Sequence, residues 1–171
     1  HDLTVALRSK AQLILDNMCF CRRIENFGQF KPLENACFQP GEEVHVYVQV
    51  RNFASRSVKM GGYSTALKGK LEIYDEYNRE KPFMCWHSEL HTDYSCTLRQ
   101  DYFVNFRFQV PPKCPPGSYT VFITVEDWTN AAPDANEVAK PRSARSSLDF
   151  RVGGPIARQP HANIADVTPA R

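Results

Sequence analysis

The sequence predicts an all-β fold, an antiparallel sandwich of about seven strands. Three observations predict it. Segments 43–53, 102–110 and 119–126 alternate apolar and polar side chains, the period of a strand with one buried face. Turns rich in Pro and Gly punctuate them. No βαβ alternation occurs that would build a parallel sheet.

Taken in order, residues 3–18 place Leu3, Leu7, Ala11, Ile14 and Met18 at helical spacing, with Asp2 as the cap. They predict an N-terminal helix over 1–18, ahead of a sandwich over 19–152. A first strand is expected at 18–24, then a loop holding Gly28 and Pro32. The sequence Gln39-Pro40-Gly41-Glu42 suits a type II turn. It leads into 43–53, where Val44, Val46, Val48 and Val50 oppose His45, Tyr47, Gln49 and Arg51. Residues 54–66 read as a polar loop, and 67–74 as a strand with Leu71 and Ile73 inward. A charged turn follows at 75–81, a strand at 83–90 and a loop at 91–99. In 102–110 Tyr102, Val104, Phe106, Phe108 and Val110 share a face. In 119–125 Tyr119, Val121, Ile123 and Val125 do. The last strand, 147–152, turns Leu148, Phe150 and Val152 inward. Tyr47, Tyr74 and Phe122 then fall on outward faces. Residues 153–171, with Pro155, Pro160 and Pro169 and no periodicity, read as an extended or flexible arm.

Bulk properties narrow the function. The 171 residues are 42% hydrophobic and 12% aromatic, enough for a real core. With 21 basic and 19 acidic residues the charge is too balanced to select nucleic acid. No apolar run reaches the roughly 20 residues that span a bilayer. The chain starts at His1 rather than Met, as a processed or trimmed chain would. Six cysteines, Cys19, Cys21, Cys37, Cys85, Cys96 and Cys114, are an even count that suits disulfides in an oxidising compartment. The preferred bridges are Cys85–Cys96 and Cys37 with Cys19 or Cys21; buried free thiols are the alternative.

Residues 115–119, Pro-Pro-Gly-Ser-Tyr before an alternating strand, resemble the corner ahead of the penultimate strand of immunoglobulin-like sandwiches. The resemblance makes Tyr119 the corner residue whose hydroxyl bonds backbone upstream. Val121 stands where a true immunoglobulin domain has its second Cys, so antibody-type recognition does not follow. A closer resemblance is to bacterial extracytoplasmic immunoglobulin-like modules. It is carried by PGEEVHVYVQVRNF at 40–53, LEIYDEYNRE at 71–80, PPGSYTVFITVED at 115–127 and SLDFRV at 147–152. Over 3–152 the pattern is also similar to uncharacterised proteins of planctomycete-type bacteria. The resemblance implies architecture and no activity.

Three places carry candidate chemistry. The loop 127–146 joins the last two strands, where immunoglobulin variable domains place a recognition loop. There Asp127 and Trp128 would anchor a partner and Lys140, Arg142 and Arg145 would supply charge. Cys85, His87, His91 and Cys96 hold the donor atoms of a zinc site, though a disulfide-tied hairpin fits their spacing better. Cys19 and Cys21 form a CxC whose sulfurs share a strand face. No GxSxG elbow or phosphate loop supports catalysis. Glu126 and Asp127 sit at a strand end without the oxygen-rich run that calcium needs.

The sequence therefore reads as a non-catalytic binding or structural module without cofactor, in the periplasm, at the cell surface or secreted. Its expected partner is a protein or a second copy. A glycan bound through Trp86 or Trp128, and the metal site, are the alternatives.

Overall fold

The computed structural model describes residues 7, 10–131 and 140–153. Their elements are all strands: β1 Ile14–Asn26, β2 Gln29–Pro32, β3 Cys37–Phe38, β4 Glu43–Arg51, β5 Arg56–Ser57 and β6 Tyr63–Asp75. The remainder are β7 Met84–His87, β8 His91–Ser95, β9 Tyr102–Gln109, β10 Gly117–Asp127 and β11 Arg142–Val152. One sheet has the order β2-β1-β4-β9. The other runs β3-β11-β10-β6-β5, with β7 and β8 also paired to β6. Among these pairs only β3–β11 is parallel.

The alternating segments form strands because each buries one complete face. Phe20, Val44, Val46, Val48, Val50, Phe106 and Phe108 of the first sheet share a core with Leu71, Ile73, Val121, Ile123, Val125 and Phe150 of the second. Each such side chain contributes about 1.5–3 kcal/mol on burial. Rings from both sheets converge on Phe150, which touches Phe20, Phe38, Phe108 and Tyr119. Gly69 is required by this packing, since a Cβ there would lie 2.6 Å from the Phe106 ring.

Tyr119 closes its corner as the sequence suggests: its hydroxyl donates to the Pro115 carbonyl at 2.9 Å. Burial, then the Cys114 thiol beside it, raises the phenol above its ordinary range, so it remains a donor.

Four expectations are corrected. Residues 14–18 are not helical but open β1; ahead of them Leu7 and Lys10 are helical, and the Ala11 N–H bonds the Leu7 carbonyl at 3.0 Å. Residues 1–6 and 8–9 lie outside the described residues. A bulge explains the misleading spacing. Asp16 and Cys19, three steps apart, face Gln49 and Tyr47, two steps apart. The insertion holds Asn17 at φ 47° and breaks the period of two. Second, Tyr47 is not outward-exposed. It is sealed between Phe30 (4.1 Å) and Phe103 (5.5 Å), and its hydroxyl accepts from Gly28 N–H and Gln49 Nε2. Third, residues 91–95 are a strand, although neither of its faces is apolar enough to betray it. Fourth, β11 begins at Arg142, which pairs with Asp127, so the last loop is shorter than 127–146. Its residues 132–139, and the C-terminal arm from 154, lie outside the described residues.

Candidate functional site

The strands β7 and β8 form one interrupted edge along β6. Lys70 faces His87 and Leu67 faces His91, so the edge advances four residues while β6 advances three. The extra residue is a bulge.

Hydrogen-bond parity shows which way each backbone points. Trp128 N–H bonds the Ala66 carbonyl on the β10 side, and Ser88 N–H bonds the Gly69 carbonyl on the β7 side. Antiparallel ladders alternate. Odd-numbered β6 residues therefore bond the edge, through Met84, Trp86 and Ser88, then His91 and Asp93. Cys85, His87, Thr92 and Tyr94 turn their backbone N–H and C=O groups away. Among the described residues no strand pairs with that side.

This open edge carries large apolar side chains. Phe83 is 44% exposed, Trp86 49%, Leu90 51% and Tyr94 70%, and Met60 on the adjoining β5–β6 turn is fully exposed. Met60, Val58, Tyr63 and Tyr94 border a depression of about 350 Å³ at one end. The sequence singles out Trp86 alone; Phe83 and Leu90 are only the ends of the strand expected at 83–90, and Met60 and Tyr94 lie on stretches expected to be loops.

Between this edge and β9, the edge of the other sheet, opens a cleft of about 260 Å³. Its walls include Leu67, Trp86, Tyr102, Val104, Phe106 and Val125, with His91 and Ser88 as polar groups. Trp86 stands edge-on to Phe106 at 6.1 Å.

Four of the five residues expected to dock a partner through the last loop also make contacts within the chain. Asp127, with its side chain 1% exposed, accepts from Ala54 N–H (2.7 Å), Thr129 N–H (3.0 Å) and the Arg142 guanidinium. Arg142 also donates to the Ala11 and Asn52 carbonyls. Together they clasp the ends of β10 and β11 to the loop after β4. Trp128 donates from Nε1 to Glu126 (2.9 Å), Lys140 is exposed, and Arg145 lies over the Phe122 ring at 4.2 Å.

Arg145 also belongs to a charged cluster on the outer face. Glu72 takes Lys70 at 2.8 Å, Arg145 at 3.3 Å and the Tyr74 hydroxyl at 3.3 Å. Burial alone would raise the Glu72 carboxyl, but Lys70 above all, then Arg145 and Tyr74, hold it below the ordinary range. A carboxyl depressed on folding stabilises the protein above its unfolded pKa of about 4.3. That contribution disappears as pH falls through the lower folded value. Glu72→Gln should therefore flatten the acid limb of a plot of melting temperature against pH, and an unchanged limb would refute the cluster's role.

The four candidate zinc ligands are not brought together. Cys85 Sγ lies 3.4 Å from His87 Nε2 on the outer face. The bulge sends His91 to the inner face, opposite Leu67. Cys96 lies beyond Ser95, which pairs with Tyr63, whereas Cys85 pairs with Glu72. Nine residues of strand is about 30 Å, too far for either a shared ion or the Cys85–Cys96 bridge. Among the described residues no three His, Cys, Asp or Glu groups gather for a metal.

All six cysteines are free thiols in this structure. Cys19 and Cys21 lie closest to each other, with sulfurs 3.6 Å apart. Burial, then the Cys19 thiol, pushes Cys21 up to about 12. Iodoacetamide should label Cys37, Cys85 and Cys96 in the native protein and reach Cys21 and Cys114 only after unfolding. Peptide mass mapping that finds Cys85 blocked before reduction would contradict this arrangement.

No family model matches the chain, and no curated protein does. Some solved structures align with 84% of the chain. An alkylpurine DNA glycosylase, AlkC of Pseudomonas fluorescens bound to DNA, is 9% identical with a TM-score of 0.43, and 31% of its chain is covered. A β-glucosidase from Listeria innocua in complex with glucose is 12% identical with a TM-score of 0.41, and 16% of it is covered. The sporulation control protein Spo0M of Bacillus subtilis is 12% identical with a TM-score of 0.36, and half of it is covered. The chain thus spans less than a third of the first two proteins. Likenesses this slight carry no argument about function.

Proposed function

We propose that this chain is an immunoglobulin-like binding module that docks an extended strand of a protein partner onto the β7–β8 edge. The immunoglobulin-like part is supported by β1-β4-β9 facing β3-β11-β10-β6, and by the Tyr119–Pro115 corner on the penultimate strand. The observation that carries the binding part is the set of exposed Phe83, Trp86, Leu90 and Tyr94 on an edge with which no strand among the described residues pairs. Proteins ordinarily guard such edges with Lys, Pro, bulges or very short strands, and here the guard is the shortness of β7 and β8, four and five residues with a bulge between them. Aromatic side chains beside open donors and acceptors nonetheless suit strand addition, in which the main chain supplies affinity and side-chain pockets supply selectivity. Relative to the sequence reading, docking moves from the last loop to the opposite side of β6.

A proline placed at an outward-facing N–H tests this. His87→Pro removes a donor that strand addition needs and leaves the bonds between β7 and β6 in place. A photo-crosslinking side chain at position 85, on the same short strand as His87, should give a discrete protein adduct in an extract of the native cells. His87→Pro should abolish the adduct while shifting the melting temperature little. An adduct that survives the proline, or no adduct at all, overturns the proposal.

A further inference from the structure

We infer that the strand accepted by this edge alternates, with a large apolar side chain set opposite Trp86 and acidic or polar residues on either side of it. This rests on the edge-docking reading and names the partner's chemistry.

The alternation follows from the two faces that the edge separates. An added strand continues the pleat, so its residues beside Cys85 and His87 project to the outer face and the residue beside Trp86 projects to the inner face. The inner face at that point is the cleft of about 260 Å³ walled by Leu67, Trp86, Tyr102, Val104, Phe106 and Val125. A Leu, Ile, Met or Phe side chain there would cover Trp86, which is half exposed although its neighbours along β6 belong to the core. Gly69 lines the cleft, and its lack of a side chain lets Phe106 lie close against β6 there.

The outer face sets the polarity of the flanking positions. Arg145 faces Thr124, Thr124 faces Lys70, and Lys70 faces His87, so one cross-strand row runs from β11 to the open edge. The row holds two cations and a histidine. Glu72 answers Lys70 and Arg145 from the adjacent row, and nothing acidic stands on the edge beside His87 within β7. A carboxylate on the added strand next to His87 extends the row with the opposite sign, whereas a Lys there opposes it.

Fluorescein-labelled peptides test the inference by anisotropy against the whole chain. One alternates Leu with Glu and Thr. A second has the same composition with its Leu residues adjacent to one another. A third alternates but carries Lys for Glu. The alternating acidic peptide should bind about tenfold or more tightly than the second. It should also exceed the third by a margin that shrinks as salt is added. Trp86→Ala should erase the preference for alternation, and His87→Pro should abolish binding of all three. Equal affinity for the first two peptides, with the crosslink at position 85 intact, overturns this inference and leaves edge docking standing. Absence of the crosslink and of all peptide binding in the chain without the His87 substitution overturns both.

Discussion

Asp127→Ala should destabilise the fold by about 3–5 kcal/mol, the range for removing one member of a buried, hydrogen-bonded ion pair. The reason lies in how many groups converge there. Ala54 N–H and Thr129 N–H lose their acceptor, and the Arg142 guanidinium loses its counter-charge. The carboxylate is almost fully enclosed, so water does not replace it. Arg142→Ala should cost less, because its side chain is partly open, whereas that of Asp127 is enclosed. The double variant should be more stable than the two single losses added together, because the second substitution removes the charge that the first leaves unpaired. Urea denaturation measures all three. A loss under about 1 kcal/mol for Asp127→Ala would show that the clasp is ornamental.

Phe150→Ala should have a comparable effect, about 3–5 kcal/mol. The ring stacks on Tyr119 at 5.6 Å and meets Phe20, Phe38 and Phe108 at 5.8 to 6.1 Å. Those rings come from β1, β3, β9 and β10, so collapse into the gap requires both sheets to move. Phe150→Leu, which keeps much of the volume, should cost under about 1.5 kcal/mol. Similar midpoints for the Ala and Leu variants would mean that the cluster closes over the space.

The strands that could be read from sequence are those with one dry and one wet face. In β10 every second residue from Tyr119 to Asp127 is buried, and in β4 the valines keep the alternation in sequence although Tyr47 and Gln49 on the opposite face are buried as well. Reading failed wherever that rule was broken. The bulge at Asn17 converted a strand into apparent helical spacing. Tyr47 looked solvent-facing because the rings covering it, Phe30 and Phe103, come from β2 and β9, and β2 has only four residues to announce itself. The arginine-rich start of β11 resembles a loop until Asp127 is seen to hold Arg142.

The site was half legible. Cys85, Trp86, His87 and His91 stood out as a cluster, but their chemistry was misjudged for a geometric reason. On a regular strand Cys85, His87 and His91 would share one face and Trp86 the other. One inserted residue moves His91 to the Trp86 side, which leaves a thiol and a single imidazole outside and an aromatic cleft within. The clasp residues Asp127 and Arg142 were noticed for their charge, and only the register across β10 and β11 shows that they meet each other.

That same inserted residue acts as a ruler. A visiting strand that starts in step with β7 arrives at β8 one residue out of phase, so its side chains would point to the wrong faces. Any strand added here would therefore keep its register over only a short word of main chain, too short to seed an endless ribbon of copies. An edge that is open, sticky and nevertheless interrupted can accept a guest without becoming the template for a fibre.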